Sequence, residues 1–553
     1  MPMEYRRVAP APVPAEADQN MVRMRDGVHL ATDIYHPAGA DGPGPTVLTR
    51  LPYDKVGEYT FIPTIAAYFS QRGYRFVAQD VRGKFRSEGE TISWVNEAYD
   101  GHDTLAWIAA QTWSDGIVGM WGDSYYGYTQ LAAASTGHPA LRAMVPRFTG
   151  TGLGSIPIRR AGARTARPEM GINRIYHLTF MQSNDSFEWE PEWTRPYAEI
   201  AERWFDTVGE RSASYDLTMP HPVELRRFPA GHPFDAPPVP TLQTIGWWDN
   251  CAIWQWPDHE AIAERPAWAA CEYLLIEASD HENYQFIGRG YREEEDPVLN
   301  PGALERMLPR YLDPAIEFFD VFLRGRGTPV DIPKVRWTLT GDPGLKASPS
   351  WPPPDAEPLE LHLGGGSLSS EPPEGAQTST WTHDPEEPVP SPAADSFAFL
   401  QEYPDEAYLA GRPDVLAFSA EPRSAPLVLA GPISFEATVC SSGPEADFFI
   451  RLTDVAPDGS AHLVARGETT LFEATDPFRV RVPMGHAGYR LRAGHALRLT
   501  IASSDAPEFI VSPGTGEHRW LAVETCRTEQ EIRLGGDEGA TLSLTVLPTP
   551  EDR

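Results

Sequence analysis

Lysine is nearly missing from this sequence. Only Lys55, Lys84, Lys334 and Lys346 occur in 553 residues, so almost all basic side chains are Arg. With 46 basic against 78 acidic residues, the formal net charge is −32. A surface this acidic repels nucleic acid and anionic lipid, which removes both from the expected partners. Solubility is the plain meaning of the charge, and the arginine bias reflects base composition. Cysteine is also scarce. Cys251, Cys271, Cys440 and Cys526 are scattered, with no C-x-x-C pair and no His at zinc spacing, so neither a metal site nor a disulfide framework is expected. Reduced, buried thiols in a cytoplasmic protein are the expectation. No run of about 20 apolar residues exists to span a bilayer. The stretch Met1–Asn20 is rich in Pro and Ala, carries Arg6 and Arg7, and lacks the apolar segment of a secretory signal. No internal repeat is found.

What is present is a change of rhythm along the chain. A single core stops growing near about 250–300 residues, so this length asks for two to four domains. From Met21 to about Val145, strand-like runs (Val28–Tyr35, Thr46–Thr49, Tyr74–Ala78, Ile117–Trp121) alternate with helical spacings (Tyr59–Gln71, Ala98–Gln111, Tyr125–Ser135). Strands separated by helices predict a parallel sheet. Residues 146–240 break the pattern. Met170–Met181 and Tyr197–Val208 read as helices, Trp189, Trp193 and Trp204 are spread among them, and clear strands are absent. An inserted helical cap is expected. Strands return at Pro240–Ile245 and Tyr273–Ile276, and Pro314–Leu323 reads as a last amphipathic helix. Beyond about residue 335 the character changes again. Trp351–Pro354 and the acidic, Pro-rich Glu371–Ala394 read as loop or linker. Short alternating runs such as Ile433–Val439, Phe448–Leu452 and Leu497–Ile501 predict an antiparallel sandwich.

The sharpest local signal is Gly122-Asp123-Ser124-Tyr125-Tyr126-Gly127, with a strand entering and a helix leaving. Such a turn presents a Ser at the carboxyl edge of a sheet, where open parallel sheets place their sites. The backbone N–H of the next residue, Tyr125, and the helix N-terminus then face a developing oxyanion. The order in this architecture is Ser, then an acid, then His. Asp249 follows the run ending Ile245-Gly246-Trp247-Trp248, and His281 follows Ile276-Glu277-Ala278. Both stand where carboxyl-edge loops begin. Asp258 and His259 share a helix, Asp280 fits neither the strand edge nor the spacing, and His102 and His138 precede the acid and are placed on helices. A serine hydroxyl needs a base to take its proton, His281 can do so near neutrality, and Asp249 would fix the ring and stabilise the imidazolium. Trp247 and Trp248, beside the acid, are candidate pocket residues.

These residues and their surroundings resemble the cocaine esterase and X-prolyl dipeptidyl-peptidase family, which includes α-amino-acid ester hydrolases and cephalosporin acylases. Arg50-Leu51-Pro52-Tyr53-Asp54-Lys55 is similar to the family's oxyanion-tyrosine segment. Gln79-Asp80-Val81-Arg82-Gly83, Ser87-Glu88-Gly89-Glu90, Asp103–Ile108 and Val118–Gly122 follow its pattern into the G-x-S-Y-x-G turn, and Gly246-Trp247-Trp248-Asp249 resembles its G-W-Y-D acid motif. Arg412–Leu416, Leu452–Val455 with Pro457-Asp458-Gly459, and Ser503-Ser504 through Gly514-Thr515-Gly516 look like its C-terminal jelly roll. The resemblance implies an α/β-hydrolase fold over 1–145 and 241–345, a helical cap over 146–240, and a galactose-binding-like β-sandwich over 346–553. It assigns Ser124 as nucleophile, Asp249 as acid, His281 as base, and the Tyr53 hydroxyl as oxyanion donor beside the Tyr125 N–H. No cofactor is implied. The sequence departs from the family at Ala278-Ser279-Asp280-His281, where a Gly-Pro-Trp run is commoner, and the amino-group-binding acids of the α-amino-acid hydrolases are not identifiable.

The expected function is therefore hydrolysis of a small-molecule ester or amide through an acyl-enzyme on Ser124. A dipeptidyl-peptidase releasing X-Pro units, or an α-amino-acid ester hydrolase or acylase, is the enzymatic rival. A carbohydrate-binding protein with a vestigial site is the rival from another class. Apolar patches of such domains often pair them, so a homo-oligomer is a further expectation.

Overall fold

A computed structural model describes residues 10–40, 42–57, 59–179 and 191–548. Arg6, Arg7, Met181 and Trp189 lie outside the described residues.

The first half is built on a ten-stranded sheet. In chain order its elements are β1 (Ala17–Arg23), β2 (His29–Tyr35), β3 (Gly44–Leu51), α1 (Ile62–Gln71), β4 (Arg75–Asp80), α2 (Glu97–Ala109), β5 (Ser114–Asp123), α3 (Ser124–Ala134) and β6 (Leu141–Arg147). After an excursion come β8 (Thr241–Gly246), α7 (Ala252–Ala263), the short α8 (Pro266–Ala269), β9 (Glu272–Glu277), α9 (Pro301–Phe322), β10 (Val335–Leu339) and β11 (Asp342–Ser348). The excursion holds β7 (Thr165–Ala166), α4 (Gly171–Thr179), α5 (Ala198–Val208) and α6 (Ala213–Asp216). The sheet order is β1-β2-β4-β3-β5-β6-β8-β9-β10-β11. Pairing is parallel from β4 through β10 and antiparallel at both ends, where β1 and β2 form a ribbon and β11 folds back on β10. The sheet is thus mixed, not wholly parallel: the edge strands return through turns too short for a crossover helix.

The order reverses beside β3. The chain passes from β3 to β4 on one side and returns to β5 on the other. Connections on either side of such a reversal leave opposite faces, and a crevice opens at the strands' carboxyl ends. The segments after β3 and β5 carry Tyr53 and Ser124 to that crevice. Helix α3 fits its place because its side chains are aromatic, apolar or small, apart from Gln130, whose amide is bonded to Gly122 O, Tyr126 O and Val145. From Tyr125 to Ala134 every residue is buried, as a helix covered on all sides requires. A Cβ on Gly101 of α2 would come within 2.8 Å of Ala133, so the two helices pack backbone to backbone there.

Four sequence expectations change. The last helix begins at Pro301, not Pro314, and holds Pro309 and Pro314 inside it. Proline suits a first turn, which drew the expected start too far along. The insertion is not free of strands, since β7 pairs with the second sheet at Thr470 and Leu471. The Pro-rich stretch taken as linker contains β14 (Gln377–His383), paired with β21 (Thr528–Leu534). His138 lies in the turn after α3, not on a helix.

The second half is all β. Its twelve-stranded sheet also includes β12 (Glu357–Gly364), β13 (Ser367–Ser369), β15 (Leu416–Ser419), β16 (Leu427–Ser441), β17 (Glu445–Val455), β18 (Ala461–Phe472), β19 (Phe478–Leu491), β20 (Ala496–Ala502) and β22 (Thr541–Leu547). Alternate residues point into one apolar core, including Leu429, Phe435, Phe448, Ile450, Leu452, Val482, Leu499 and Leu542. Among the described residues no helix is long and apolar enough to cross a membrane.

Candidate active site

Ser124 is the first residue of α3 and takes φ 49°, a left-handed conformation that a β-to-α corner forces on it. The corner fits only with glycine on both sides. A Cβ on Gly122 would come within 2.0 Å of the Tyr126 ring, and one on Gly127 within 2.7 Å of Thr149. The wider spacing of the second Gly is therefore a packing demand of α3 on the chain after β6.

Asp249 and His281 come from neighbouring loops after β8 and β9. His281 Nδ1 lies 2.8 Å from Asp249 Oδ1, and both side chains are buried. The loops are tied together: the Trp248 N–H donates to Ser279 O at 3.0 Å, and a Cβ on Gly246 would meet Ser279 O at 2.5 Å. Asp249 Oδ1 also accepts the Cys251 N–H at 2.9 Å. Burial opposes charge on the imidazole, but the Asp249 carboxylate at 2.8 Å opposes that effect, and the His281 range is raised above the usual histidine value. Burial pushes the Cys251 thiol up to about 11, which keeps it protonated at neutral pH.

A polar clamp joins the base loop to the serine turn. Asp123, just before Ser124, accepts from Arg147 Nε at 2.8 Å, from the Tyr311 hydroxyl at 2.7 Å and from Asn283 Nδ2 at 3.0 Å. Asn283 stands two residues after His281, has φ 64°, and its Oδ1 accepts from Arg147 at 2.8 Å. Behind the serine, the Tyr125 hydroxyl donates to buried Glu97 at 2.9 Å and accepts the Trp94 N–H at 2.9 Å. Arg50 holds the other Glu97 oxygen at 2.9 Å. With its ring stacked 4.2 Å from that of Trp94, Tyr125 is fixed at the tip, and its backbone N–H lies in the first turn of α3. Tyr53, in the turn after β3, sets its ring edge-on to Tyr126 with centroids 6.3 Å apart. At the mouth, the Tyr59 hydroxyl donates to Glu282 at 2.7 Å, beside His281.

Other predicted placements differ. Trp247 and Trp248 do not line the crevice, because packing against the second half absorbs both. The Trp247 indole donates to Thr338 O at 2.9 Å among Trp256 and Trp351, and Trp248 donates to Leu463 O at 3.0 Å with its ring over Phe286. All four cysteines are free, yet only Cys251 is buried, and Cys526 is exposed. Asp280 is fully buried and accepts the N–H groups of Tyr284 and Leu400, a structural role. Asp258 caps Thr151, and His259 pairs with Glu272. The sequence gives Asp123, Asn283 and Cys251 no role at the site. Their one signal was adjacency to Ser124, His281 and Asp249, and adjacency does not say which way a side chain turns.

Both halves of the chain are similar to known proteins. Residues 26–283 match the X-Pro dipeptidyl-peptidase (S15 family), and residues 330–537 match the X-Pro dipeptidyl-peptidase C-terminal non-catalytic domain. The cocaine esterase of Rhodococcus sp. (strain MB1 Bresler) is 28% identical over 583 residues, covering 96% of this chain and 98% of that protein. Among solved structures, an aminopeptidase from a marine sediment Thaumarchaeota archaeon matches with a TM-score of 0.79 at 22% identity, covering 98% of this chain and 99% of that one. An α-amino acid ester hydrolase matches with a TM-score of 0.78 at 24% identity, covering 99% of this chain and 100% of that one.

Proposed function

The chain belongs to the cocaine esterase and X-Pro dipeptidyl-peptidase family of α/β-hydrolases and is a serine hydrolase, and from that premise we propose that it cleaves a small-molecule ester or amide through an acyl-enzyme on Ser124. The observation that carries this reading is the buried His281–Asp249 pair at 2.8 Å, on a loop clamped to the Ser124 turn through Asn283 and Asp123.

In this mechanism the substrate carbonyl enters the crevice above Ser124. Neutral His281 takes the Ser124 proton as the oxygen attacks, and Asp249 stabilises the imidazolium that forms. The carbonyl oxygen becomes an oxyanion facing the Tyr125 N–H and the Tyr53 hydroxyl. His281 then protonates the leaving alcohol or amine. Water, deprotonated by the same imidazole, releases the acid and restores Ser124. Glu97 and Arg50 hold Tyr125 so that its N–H needs no reorganisation when the charge appears.

An ester or simple amide is favoured over a free N-terminal peptide. The residues after the acid are Asn250, Cys251 and Ala252, which bring no carboxylate toward an ammonium group. Glu282, beside His281, is one acid near the pair, and its Oε1 accepts the Tyr59 hydroxyl. The free thiols fit a reducing, cytoplasmic setting. A panel of aryl esters, anilides and X-Pro anilides, run with a fluorophosphonate probe, tests the reading. Turnover of esters with probe labelling at Ser124 supports it. X-Pro anilides cleaved far faster than any ester would replace it with the peptidase.

A further inference from the structure

We propose that Asp249, Cys251 and His281 form a binding site for a zinc-class divalent cation, and that occupancy switches the hydrolase off. The inference rests on the reading of His281 as the base.

Three observations support it. A thiol, an imidazole and a carboxylate offer one ligand atom each, all within 4.8 Å of one another, and all three residues are buried. Zinc holds Cys, His and carboxylate ligands at about 2.0–2.3 Å, which sets tetrahedral neighbours roughly 3–4 Å apart, so only a small closure is needed. Asp249 Oδ2 is buried and lacks a hydrogen-bond partner among the described residues, although Asp249 Oδ1 is doubly engaged by His281 and the Cys251 N–H. The proposed chemistry of the triad does not use the Cys251 thiol at all. A sulfur and nitrogen donor beside one carboxylate suits zinc or cadmium and not magnesium, which requires oxygen ligands.

The protons balance simply. The Cys251 thiol gives its proton to water and binds as thiolate. The cation takes the His281 Nδ1 lone pair in place of the proton shared with Asp249, and the ring's one proton moves to Nε2. A ring protonated at Nε2 no longer accepts the Ser124 proton, so acylation stops. A chelator reverses the block.

The test uses the full-length, chelator-treated protein, with each variant referred to its own metal-free rate. Zn2+ and Cd2+ are titrated against aryl-ester turnover, with Mg2+ as control. In parallel, Cd2+ binding is read from thiolate-to-metal charge-transfer absorption in the Ser124→Ala protein, with and without Cys251→Ala. The expected result is reversible inhibition by Zn2+ and Cd2+ but not Mg2+. The half-inhibition concentration should rise by about 100-fold or more in Cys251→Ala, since even groups that merely support a metal ligand are worth about 10–100-fold in affinity. Cys251→Ser, which keeps the volume, should show the same rise. Equal inhibition of wild type and both Cys251 variants would overturn the proposal, as would a Cd2+ signal indifferent to Cys251. A Cys251-dependent Cd2+ signal with full turnover in saturating Zn2+ would keep the site, overturn the switch and count against His281 as base. Full activity of Ser124→Ala would overturn the nucleophile without touching the metal signal.

Discussion

Both halves of the molecule bury charge, but they bury it differently. In the all-β half, Arg451 meets Glu406 at 2.6 and 2.8 Å and Asp505 at 3.1 Å, and Arg519 meets Asp447 at 2.6 Å. These groups end on one another and on neighbours such as Thr470 and the Ile510 carbonyl. At the carboxyl edge of the first sheet, buried charge also pairs, as in Arg147 with Asp123 and Arg50 with Glu97. There each chain of contacts runs on to a side chain of the proposed reaction: Asp123 to the Ser124 turn, Asn283 to the His281 loop, Glu97 to Tyr125. Positive φ gathers at turns around the crevice, at Asp54, Ser124, Phe148 and Asn283, while in the all-β half Tyr403 and Glu473 take it. A buried ion pair by itself therefore says little about function. A buried pair that ends at a strained turn holding a nucleophile or a base says much more.

The sharpest way to break this contrast is at Ser124. Ser124→Ala should lower kcat by roughly 10⁴–10⁶-fold, as removal of a triad nucleophile does, with the melting temperature almost unmoved. Near-full esterase activity in the purified variant would remove the first sheet's claim to the site. Tyr53→Phe comes next. It keeps the ring against Tyr126 and deletes one hydroxyl, so kcat should fall by about 10²–10³-fold with little change in KM. Retained kcat with lost stability would make Tyr53 a packing residue like those of the second half. The pH profile is a milder probe. His281 must be neutral to act, and the Asp249 carboxylate raises its range. Activity is therefore present above the raised value and falls as pH drops through it, about tenfold per unit, with the limb lying above the usual histidine value of about 6.5. A profile flat from pH 5 to 8 would set His281 aside. The smallest effect on turnover belongs to Arg451→Met. It strands Glu406 and Asp505 in the interior, so chemical unfolding should show a loss of about 3–5 kcal/mol, while kcat of the folded fraction stays within about twofold. A kcat loss as large as that of Tyr53→Phe would show that the two halves are not separate in function.

The positions of the proposed catalytic residues were legible because the linear pattern carries their geometry. An apolar run ending in Gly-x-Ser places a side chain at a sheet edge whatever the rest of the chain does, and Asp249 and His281 follow their strands by the same rule. The places of Ser124, Asp249 and His281 at the ends of their strands were determined by sequence alone. So were the acidic surface and the absence of a membrane-length apolar run. Partnership across the chain was not legible. Trp247 and Trp248 looked like pocket residues beside the acid, but the backbone carbonyls of Thr338 and Leu463, in distant sequence, draw them into the seam between the sheets. Strand β14 hid in a Pro-rich, acidic stretch because its pairing with β21 makes it a strand, and its composition does not. The direction in which Cys251 and Asn283 turn was likewise decided only when the loops after β8 and β9 closed on each other. A side chain's neighbours depend on which strands lie side by side, and hydrogen bonds and packing between remote segments set that order where local spacing cannot.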